Sequence, residues 1–404
     1  MQVTHEQKEQ QIFPLWRQAF RPFFLLGALF SAIAMSLWGL VLAGHISLNP
    51  YHNVMFWHQH EMLFGFVVAI ILGFLLTAVQ NWTGLRSTHG GTLAILVGLW
   101  LSARVLMLFG ALAPAWLVII VDLALLPVAA LLFARLLVNA KQSRNLFFVP
   151  ILLALAAMNA ATHAGVVYGR FDWIQYGTNN AVWLITLIMV VISGRVLPMF
   201  TANGTQTERV QPKAWIELGA LCSVWLIVVL HVFALTAYLP DRAFAVLFAF
   251  AAVMTAIRLI RLRFWITLRT PLLWSLHLSV AFIPLAFALF ALRYAGIELS
   301  NSISHSTAIH TLTVGAMGVM ILSMMARVSL GHSGRPLKPS PLMSVAFLFV
   351  IAAALVRIGA NWGPIADMIT WYQWAVVSWV LAFVIFIVLY LPVFLTPRAD
   401  GRPG

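Results

Sequence analysis

The stretch that decides the fold is WHQHEMLFGFVVAIILGFLLTAVQNWTG, residues 57–84. Two histidines and a glutamate, His58, His60 and Glu61, open this stretch. Residues 62–79 are predominantly apolar, and they are enough to cross the hydrocarbon core of a bilayer. Ionisable side chains at the end of a membrane helix are energetically unfavourable unless a partner binds them. The stretch therefore predicts a spanning helix that begins with a functional polar cluster.

The composition of the whole chain is that of a membrane protein. Of the 404 residues, 62% are hydrophobic and only 9% are charged, so the chain could not keep a folded surface in water. The net charge of +13 does not indicate nucleic acid, because the basic residues stand singly between apolar runs. The one cysteine, Cys222, excludes an internal disulfide and a thiolate metal cage. The polar start lacks a cleavage site, so the first helix should remain as an anchor.

Long apolar runs predict an all-α, polytopic bundle of twelve membrane helices that forms a single membrane domain, residues 1–404. The predicted spans are 22–43, 57–79, 91–110, 115–136, 147–168, 174–194, 214–235, 241–259, 272–294, 303–326, 342–360 and 368–395. Roughly four times as many lysines and arginines lie on one side of these spans as on the other. By the positive-inside rule, both termini are expected in the cytoplasm.

With this topology most intramembrane histidines fall in the outer half of the membrane, and His277 is the exception. The outer histidines are His58 and His60 on the second helix, His163 on the fifth, His231 on the seventh, and His305 and His310 on the tenth. Several imidazoles in a dry site suit copper, zinc or haem iron. Convergence of His58, His60, His163 and His310 favours a metal centre. His231 and His305 are better explained by helix packing.

The spacing of the histidines limits how they can share a metal ion. His58 and His60 point about 200° apart on a helix, so they serve two adjacent sites rather than one. His305 and His310 point about 140° apart, so at most one of them faces a given centre. Small residues in 313–318 allow close approach of a flat macrocycle or, more simply, of another helix.

Acidic and basic residues within the predicted membrane helices are the other candidate functional residues. Glu61 and Asp122 are the candidate catalytic groups, because buried carboxylates in membranes often mark proton routes. Glu61 could also orient a ligating imidazole, or simply cap the start of its helix. Arg104, Arg293 and Arg357 lie near outer helix ends, where they either snorkel to the interface or pair with haem propionates.

Four stretches resemble the NnrS family of haem- and copper-binding inner-membrane proteins, over residues from about 14 to the end of the last helix. They are FRPFFLLGALF (20–30), the 57–84 stretch, GRVLPMFT (194–201) and HTLTVGAMGVMILSMMARVSLGHSGRPL (310–337). The resemblance implies a multi-pass protein of a bacterial inner membrane that carries copper and one or two b-type haems. It also implies a role in nitric oxide metabolism and protection from nitrosative stress, often in denitrifying bacteria. The histidines at family-motif positions are His58, His60, His163, His277 and His310.

The first functional hypothesis is an oxidoreductase that reduces nitric oxide. In a weaker version the protein binds nitric oxide without turnover. His60 and His310 would be axial haem ligands, with His58 and His163 at a second metal site, or the two assignments would be exchanged. Electrons would come from a quinol or a cytochrome. This layout, though not the sequence, is similar to that of haem-copper oxidases and nitric oxide reductases, but no adjacent His-His pair is present.

Two other functions remain open. A transporter could carry haem or copper across the membrane, although no Gly/Pro-interrupted helices stand in corresponding positions of two halves. A regulatory scaffold would leave the histidines dispensable. The loop around 326–340 is expected to contact membrane lipid rather than a partner protein.

Overall fold

The computed structural model describes residues 10–297, 304–362 and 367–402. Within these ranges the chain is helical without β-strands, and twelve helices are long and apolar enough to cross a membrane. Their bounds are α1 Phe20–Leu42, α2 Val54–Thr83, α3 Gly90–Leu108, α4 Ala115–Asn139, α5 Phe148–Val167, α6 Phe171–Thr205, α7 Ala214–Val232, α8 Asp241–Arg261, α9 Pro271–Tyr294, α10 His305–His332, α11 Pro341–Gly359 and α12 Met368–Leu395. The all-helical, twelve-span prediction is therefore confirmed. The cytoplasmic position of the termini stays a prediction.

Three helices continue four or more residues beyond an end that the apolar pattern predicts. α2 begins at Val54 and ends at Thr83, α6 continues to Thr205 instead of ending at 194, and α10 continues to His332 instead of 326. The predicted ends of α6 and α10 were wrong because each stopped before the first arginine, whereas the helices continue through Arg195 and Arg327. α6 also contains Pro198. Residue 303, where the tenth span was predicted to begin, lies outside the described residues.

Residue contacts divide the chain into two compact units. Unit 1 comprises Met1–Ala181, Met325–Lys338 and Phe383–Gly404, and unit 2 comprises Val182–Met324 and Pro339–Ala382. Unit 1 thus contains α1 to α5, while most of α6 to α11 belongs to unit 2. The expectation of a single membrane domain remains a prediction.

A fully buried arginine joins the two chain ends within unit 1. Nη1 of Arg21 donates to the carbonyl oxygens of Val393, Phe394 and Thr396 at 3.2, 2.9 and 2.8 Å. The last carbonyl groups of a helix lack partners inside it and carry partial negative charge. Arg21, which belongs to the FRPFF stretch, therefore closes the end of α12 with a cation.

In unit 2 aromatic side chains of neighbouring helices pack against the small residues of α10. A Cβ atom at Gly315 would lie 2.6 Å from Phe282 of α9, and one at Gly318 would meet the ring of Trp379 of α12. Aromatic stacking continues between α8 and α9, where the rings of Phe248 and Tyr294 lie 5.5 Å apart. The neighbours of this stretch are thus other helices, which is the simpler of the two expectations.

Two helices change to π-helical geometry immediately after a histidine. In unit 1 the π-helix Glu61–Val67 follows His60, and in unit 2 the π-helix Thr311–Gly318 follows His310. π-helical turns are rare and are frequently found at functional sites. This local geometry therefore marks the same two histidines that the sequence pattern singled out.

Candidate metal centre

Six polar side chains meet inside unit 1, and none of them is more than 4% exposed. They are His60 and Glu61 of α2, Arg104 of α3, Asp122 of α4, and Asn159 and His163 of α5. Burying such groups is costly unless each is paired or hydrogen-bonded. The pairing that satisfies them defines the candidate site.

Arg104 forms salt bridges with both carboxylates of the group, from Nη1 to Oε1 of Glu61 and from Nη2 to Oδ1 of Asp122. Gly65 makes this approach possible, since a Cβ atom there would lie 2.7 Å from Nη1 of Arg104. The backbone oxygen of Gly65 accepts a hydrogen bond from Nε1 of Trp100 at 2.9 Å. The snorkelling explanation is therefore wrong for Arg104. Both terminal nitrogens of Arg104 thus bind carboxylates of the protein itself.

His60 is surrounded by oxygen acceptors. Its Nδ1 lies 3.0 Å from Oε1 of Glu61, and its Nε2 lies 2.8 Å from Oδ1 of Asn159 and 3.2 Å from Oδ2 of Asp122. A neutral imidazole donates from only one nitrogen, whereas the imidazolium donates from both. These contacts can be satisfied by a second proton on the ring, by a cation at one of its nitrogens, or by a proton on the Glu61 carboxyl group.

His163 approaches the same carboxylate oxygen. Its Nε2 lies 3.1 Å from Oδ2 of Asp122, and its Nδ1 is buried without a hydrogen-bond partner among the described residues. One ligand atom from each of His60, Asp122 and His163 lies within 4.8 Å of the others. Nitrogen and oxygen ligands at ~2.1 Å from an ion lie roughly 3.0 to 3.5 Å from one another. The distances of 3.2 and 3.1 Å from Asp122 to the two imidazoles match two edges of such a coordination polyhedron.

The charges of the site also fit a cation. Glu61 and Asp122 contribute two negative charges and Arg104 one positive charge, so the group is short of one positive charge while both imidazoles are neutral. An uncompensated charge in a buried site is strongly unfavourable. A proton on His60 or on Glu61, or a bound metal ion, restores the balance of charge. The donor set therefore fits a metal ion that competes with a proton.

His58 does not belong to this group. Its ring stacks on Trp38 of α1, with centroids 4.4 Å apart and an interplanar angle of 9°. The structure thus brings His163 to His60, whereas the sequence hypothesis placed His163 with His58 and gave His60 to another centre. The capping role of Glu61 is also wrong. α2 begins at Val54, and the side chain of Asn53 accepts from the backbone N–H of Phe56.

Two of the predicted residues of unit 2, His310 and Arg357, belong to a separate polar group. Nη2 of Arg357 donates to Oγ of Ser306 at 2.9 Å and lies 3.3 Å from Nδ1 of His310. The guanidinium lies over the ring of Tyr372, 4.3 Å from its centroid. Nη1 of Arg357 is buried and has no hydrogen-bond partner in the part of the chain that the structure describes. An acidic group that reached Nη1 would complete the hydrogen bonds of this cation.

The remaining predicted residues lie elsewhere in unit 2. His277 is buried, with Nε2 2.8 Å from Oγ1 of Thr201. His231 places Nδ1 2.8 Å from the backbone oxygen of Ile227 in its own helix. Arg293 is exposed at the end of α9. His305 packs its ring against Phe290, with centroids 5.9 Å apart.

Sequence reasoning missed Asn159 and Tyr51. Asn159 precedes His163 by four residues, so the helical period places both on one face of α5, and this spacing could have revealed it. Tyr51, in the loop before α2, packs its ring 5.5 Å from that of His163. The loop is held there by a hydrogen bond from the Tyr51 N–H to the Met107 oxygen, at 3.0 Å. No local pattern marks Tyr51.

The fold and the site define a multi-pass helical membrane protein with a buried donor set of two histidines and one carboxylate. The family described as NnrS protein matches residues 14–398, so the chain belongs to this family. Membership makes it a membrane protein related to nitric oxide, in a family associated with metal or haem binding. No curated protein matches the chain.

Proposed function

We propose that this protein binds nitric oxide at a buried metal centre in unit 1 and protects a bacterium from nitrosative stress at its inner membrane. The observation that carries the proposal is the convergence of His60, Asp122 and His163 in a group that lacks one positive charge. Membership of the NnrS family supplies the link to nitric oxide. Together they favour a redox protein over a transporter of haem or copper.

Copper is the metal that we propose for this donor set, with imidazole nitrogens of His60 and His163 and a carboxylate oxygen of Asp122 as ligands. Bound copper would supply one-electron redox chemistry and a position for nitric oxide. Two histidines and one carboxylate are also the donor set of non-haem ferrous sites, so iron is the second candidate. Metal analysis distinguishes the two.

The other residues of the group would hold the ligands in place. Glu61 accepts from Nδ1 of His60 and so leaves Nε2 for an ion, which is the usual arrangement of a metal-bound histidine. Arg104 balances Glu61 and Asp122 at the same time. Oε2 of Glu61 is buried and has no partner within the described residues. It is therefore the candidate proton carrier, since reduction of nitric oxide consumes protons as well as electrons.

Haem is proposed for unit 2, with His310 as an axial ligand and Arg357 as the partner of a propionate. The fit rests on the buried, unpartnered Nη1 of Arg357, because a carboxylate there would complete a charge-assisted hydrogen bond. Haem b would supply a ferrous iron that binds nitric oxide. A quinol or a cytochrome is proposed as the electron donor.

The test compares His163→Ala with His58→Ala in purified protein, since only His163 belongs to the donor set. Copper and iron are counted by mass spectrometry, and bound Cu²⁺ is examined by electron paramagnetic resonance. We expect His163→Ala to lose the metal and His58→Ala to retain it. Metal loss in His58→Ala alone would overturn the proposed ligand set.

Haem is tested separately by optical spectra of the oxidised and reduced protein, with and without nitric oxide. His310→Ala should abolish the haem bands, while His305→Ala on the same helix should keep them. Size-exclusion chromatography shows whether each variant remains folded. A folded, colourless wild-type protein that moves copper into vesicles would favour the transporter instead.

A further inference from the structure

One end of unit 2 contains a cavity of about 70 Å³ where α6, α7 and α8 meet. Among its lining residues are Arg209, Arg258 and Arg261, together with the carboxylate of Glu217. Three positive charges against one negative charge leave the lining with a net charge of +2. The positive-inside rule assigns this end of the helices to the cytoplasm.

The innermost arginine of the cavity is held in a fixed orientation. Arg258 binds Glu217 through Nε at 3.2 Å and Nη2 at 2.6 Å, and its Nη1 donates to the backbone oxygen of Val190 at 2.9 Å. It lies against α6 at Gly194, where any Cβ atom would overlap the guanidinium. Gly194 is the first residue of the GRVLPMFT stretch. Because it has no side chain, it leaves space for the guanidinium of Arg258.

A second arginine orders the rim. Nη2 of Arg261 donates to the backbone oxygen of Gln211 at 3.0 Å, which ties the end of α8 to the segment between α6 and α7. Arg209 stands on this segment and is exposed. The cavity is thus bordered by the partly buried, fully oriented guanidinium of Arg258, by the partly exposed Arg261 and by the exposed Arg209.

The space fits a small tetrahedral anion. A single water needs roughly 10 to 15 Å³ on the same measure, so about 70 Å³ accepts a phosphate-sized group. A smaller cavity of about 20 Å³ adjoins it and shares Gly194, Arg258 and Leu262. Its wall includes Leu197 and Ile283. A cationic opening therefore borders an apolar wall at a helix end.

We propose that this cavity binds a phosphate group, either the headgroup phosphate of an anionic phospholipid or free phosphate. Guanidinium groups match the oxygens of a phosphate with paired N–H donors. Basic pockets between membrane helices on the cytoplasmic side are known to hold anionic headgroups. The site lies in unit 2 and is independent of the metal centre in unit 1.

The test uses Arg209→Gln/Arg261→Gln, which spares Arg258 and the packing around Gly194. The matched control is Arg269→Gln, an exposed arginine of the next segment that does not line the cavity. Full-length protein is purified from nanodiscs of phosphatidylcholine with phosphatidylglycerol, and native mass spectrometry counts the retained phosphatidylglycerol. A parallel arm titrates inorganic phosphate against the thermal unfolding temperature of the delipidated protein.

We expect wild-type protein and Arg269→Gln to retain phosphatidylglycerol, and the double variant to bind it about fivefold more weakly for each arginine lost. Stabilisation by phosphate without selective lipid retention identifies free phosphate as the ligand, provided that the double variant loses it. Selective retention of the lipid identifies the phospholipid. Equal weakening in Arg269→Gln, or no change in the double variant in either arm, overturns the proposal.

Discussion

Asn159 on α5 donates its side-chain amide to Oδ2 of Asp122 on α4 at 2.7 Å. Its amide oxygen lies 2.8 Å from Nε2 of His60 on α2. One neutral side chain therefore fixes the separation of a carboxylate and an imidazole that belong to different helices. Hydrogen bonds of this kind orient metal ligands and so raise the affinity of a site for its metal.

We expect Asn159→Ala to lower metal affinity about 10- to 100-fold, the usual cost of removing such an orienting partner. It should also lower the free energy of unfolding by about 1 to 3 kcal/mol, because buried polar groups lose their partners. Copper titration and thermal unfolding measure the two effects. The control is Asn180→Ala, whose side-chain amide donates to the Tyr176 oxygen of its own helix at 2.9 Å. Equal loss of affinity in the control would contradict the orienting role.

The helices could be predicted from sequence because the length of an apolar run is a local property, and the depth of the histidines followed from it. The ion pairs of Arg104 could not be predicted from sequence, because its two partners lie 43 and 18 residues away along the chain. Whether they meet depends on the rotation of three helices about their axes. For the same reason the sequence placed His58 and His163 together, although His58 faces Trp38.

Gly65→Ala tests the close approach of α3 to the π-helical part of α2. The added methyl group would lie 2.7 Å from Nη1 of Arg104 and 2.9 Å from Cε1 of Phe30. Overpacking of this kind costs about 1 to 3 kcal/mol, and here it also displaces Arg104 from its carboxylates. Thermal unfolding and metal content should both fall. Gly98→Ala in α3 is the control, since its Cβ meets nothing within 4 Å and the variant should lower neither value.

Tyr51 should give the protein a specific alkaline sensitivity. Burial, and then the negative charge of Asp122, raise the pKa of Tyr51 above its ordinary value. At a pH above about 10 the unfolded chain releases this proton while the folded chain still holds it. Stability is therefore complete below that pH and declines as the pH rises further.

Tyr51→Phe should remove this part of the alkaline decline. The measurement is the midpoint of denaturant unfolding as a function of pH, with ultraviolet difference absorbance recording tyrosinate formation. An unchanged alkaline decline in Tyr51→Phe would show that other groups cause it.

The balance of charge around Arg104 can be measured with a double-mutant cycle. Arg104→Gln leaves Glu61 and Asp122 buried without their shared cation, and we expect it to cost about 3 to 5 kcal/mol of unfolding free energy. Adding Glu61→Gln restores neutrality, since a protonated His60 then balances Asp122. The double variant should therefore be more stable than Arg104→Gln alone.

The matched pair for this cycle is Arg170 with Asp172, an exposed ion pair of 2.6 Å in the same unit. Exposed pairs contribute little because water and salt screen them, so its cycle should show additive effects. Unfolding in detergent monitored by circular dichroism gives the four stabilities for each cycle. Additive losses at Glu61 and Arg104 as well would mean that the two charges do not compensate each other. The salt bridge between them would then contribute nothing to holding the carboxylates of the donor set in place.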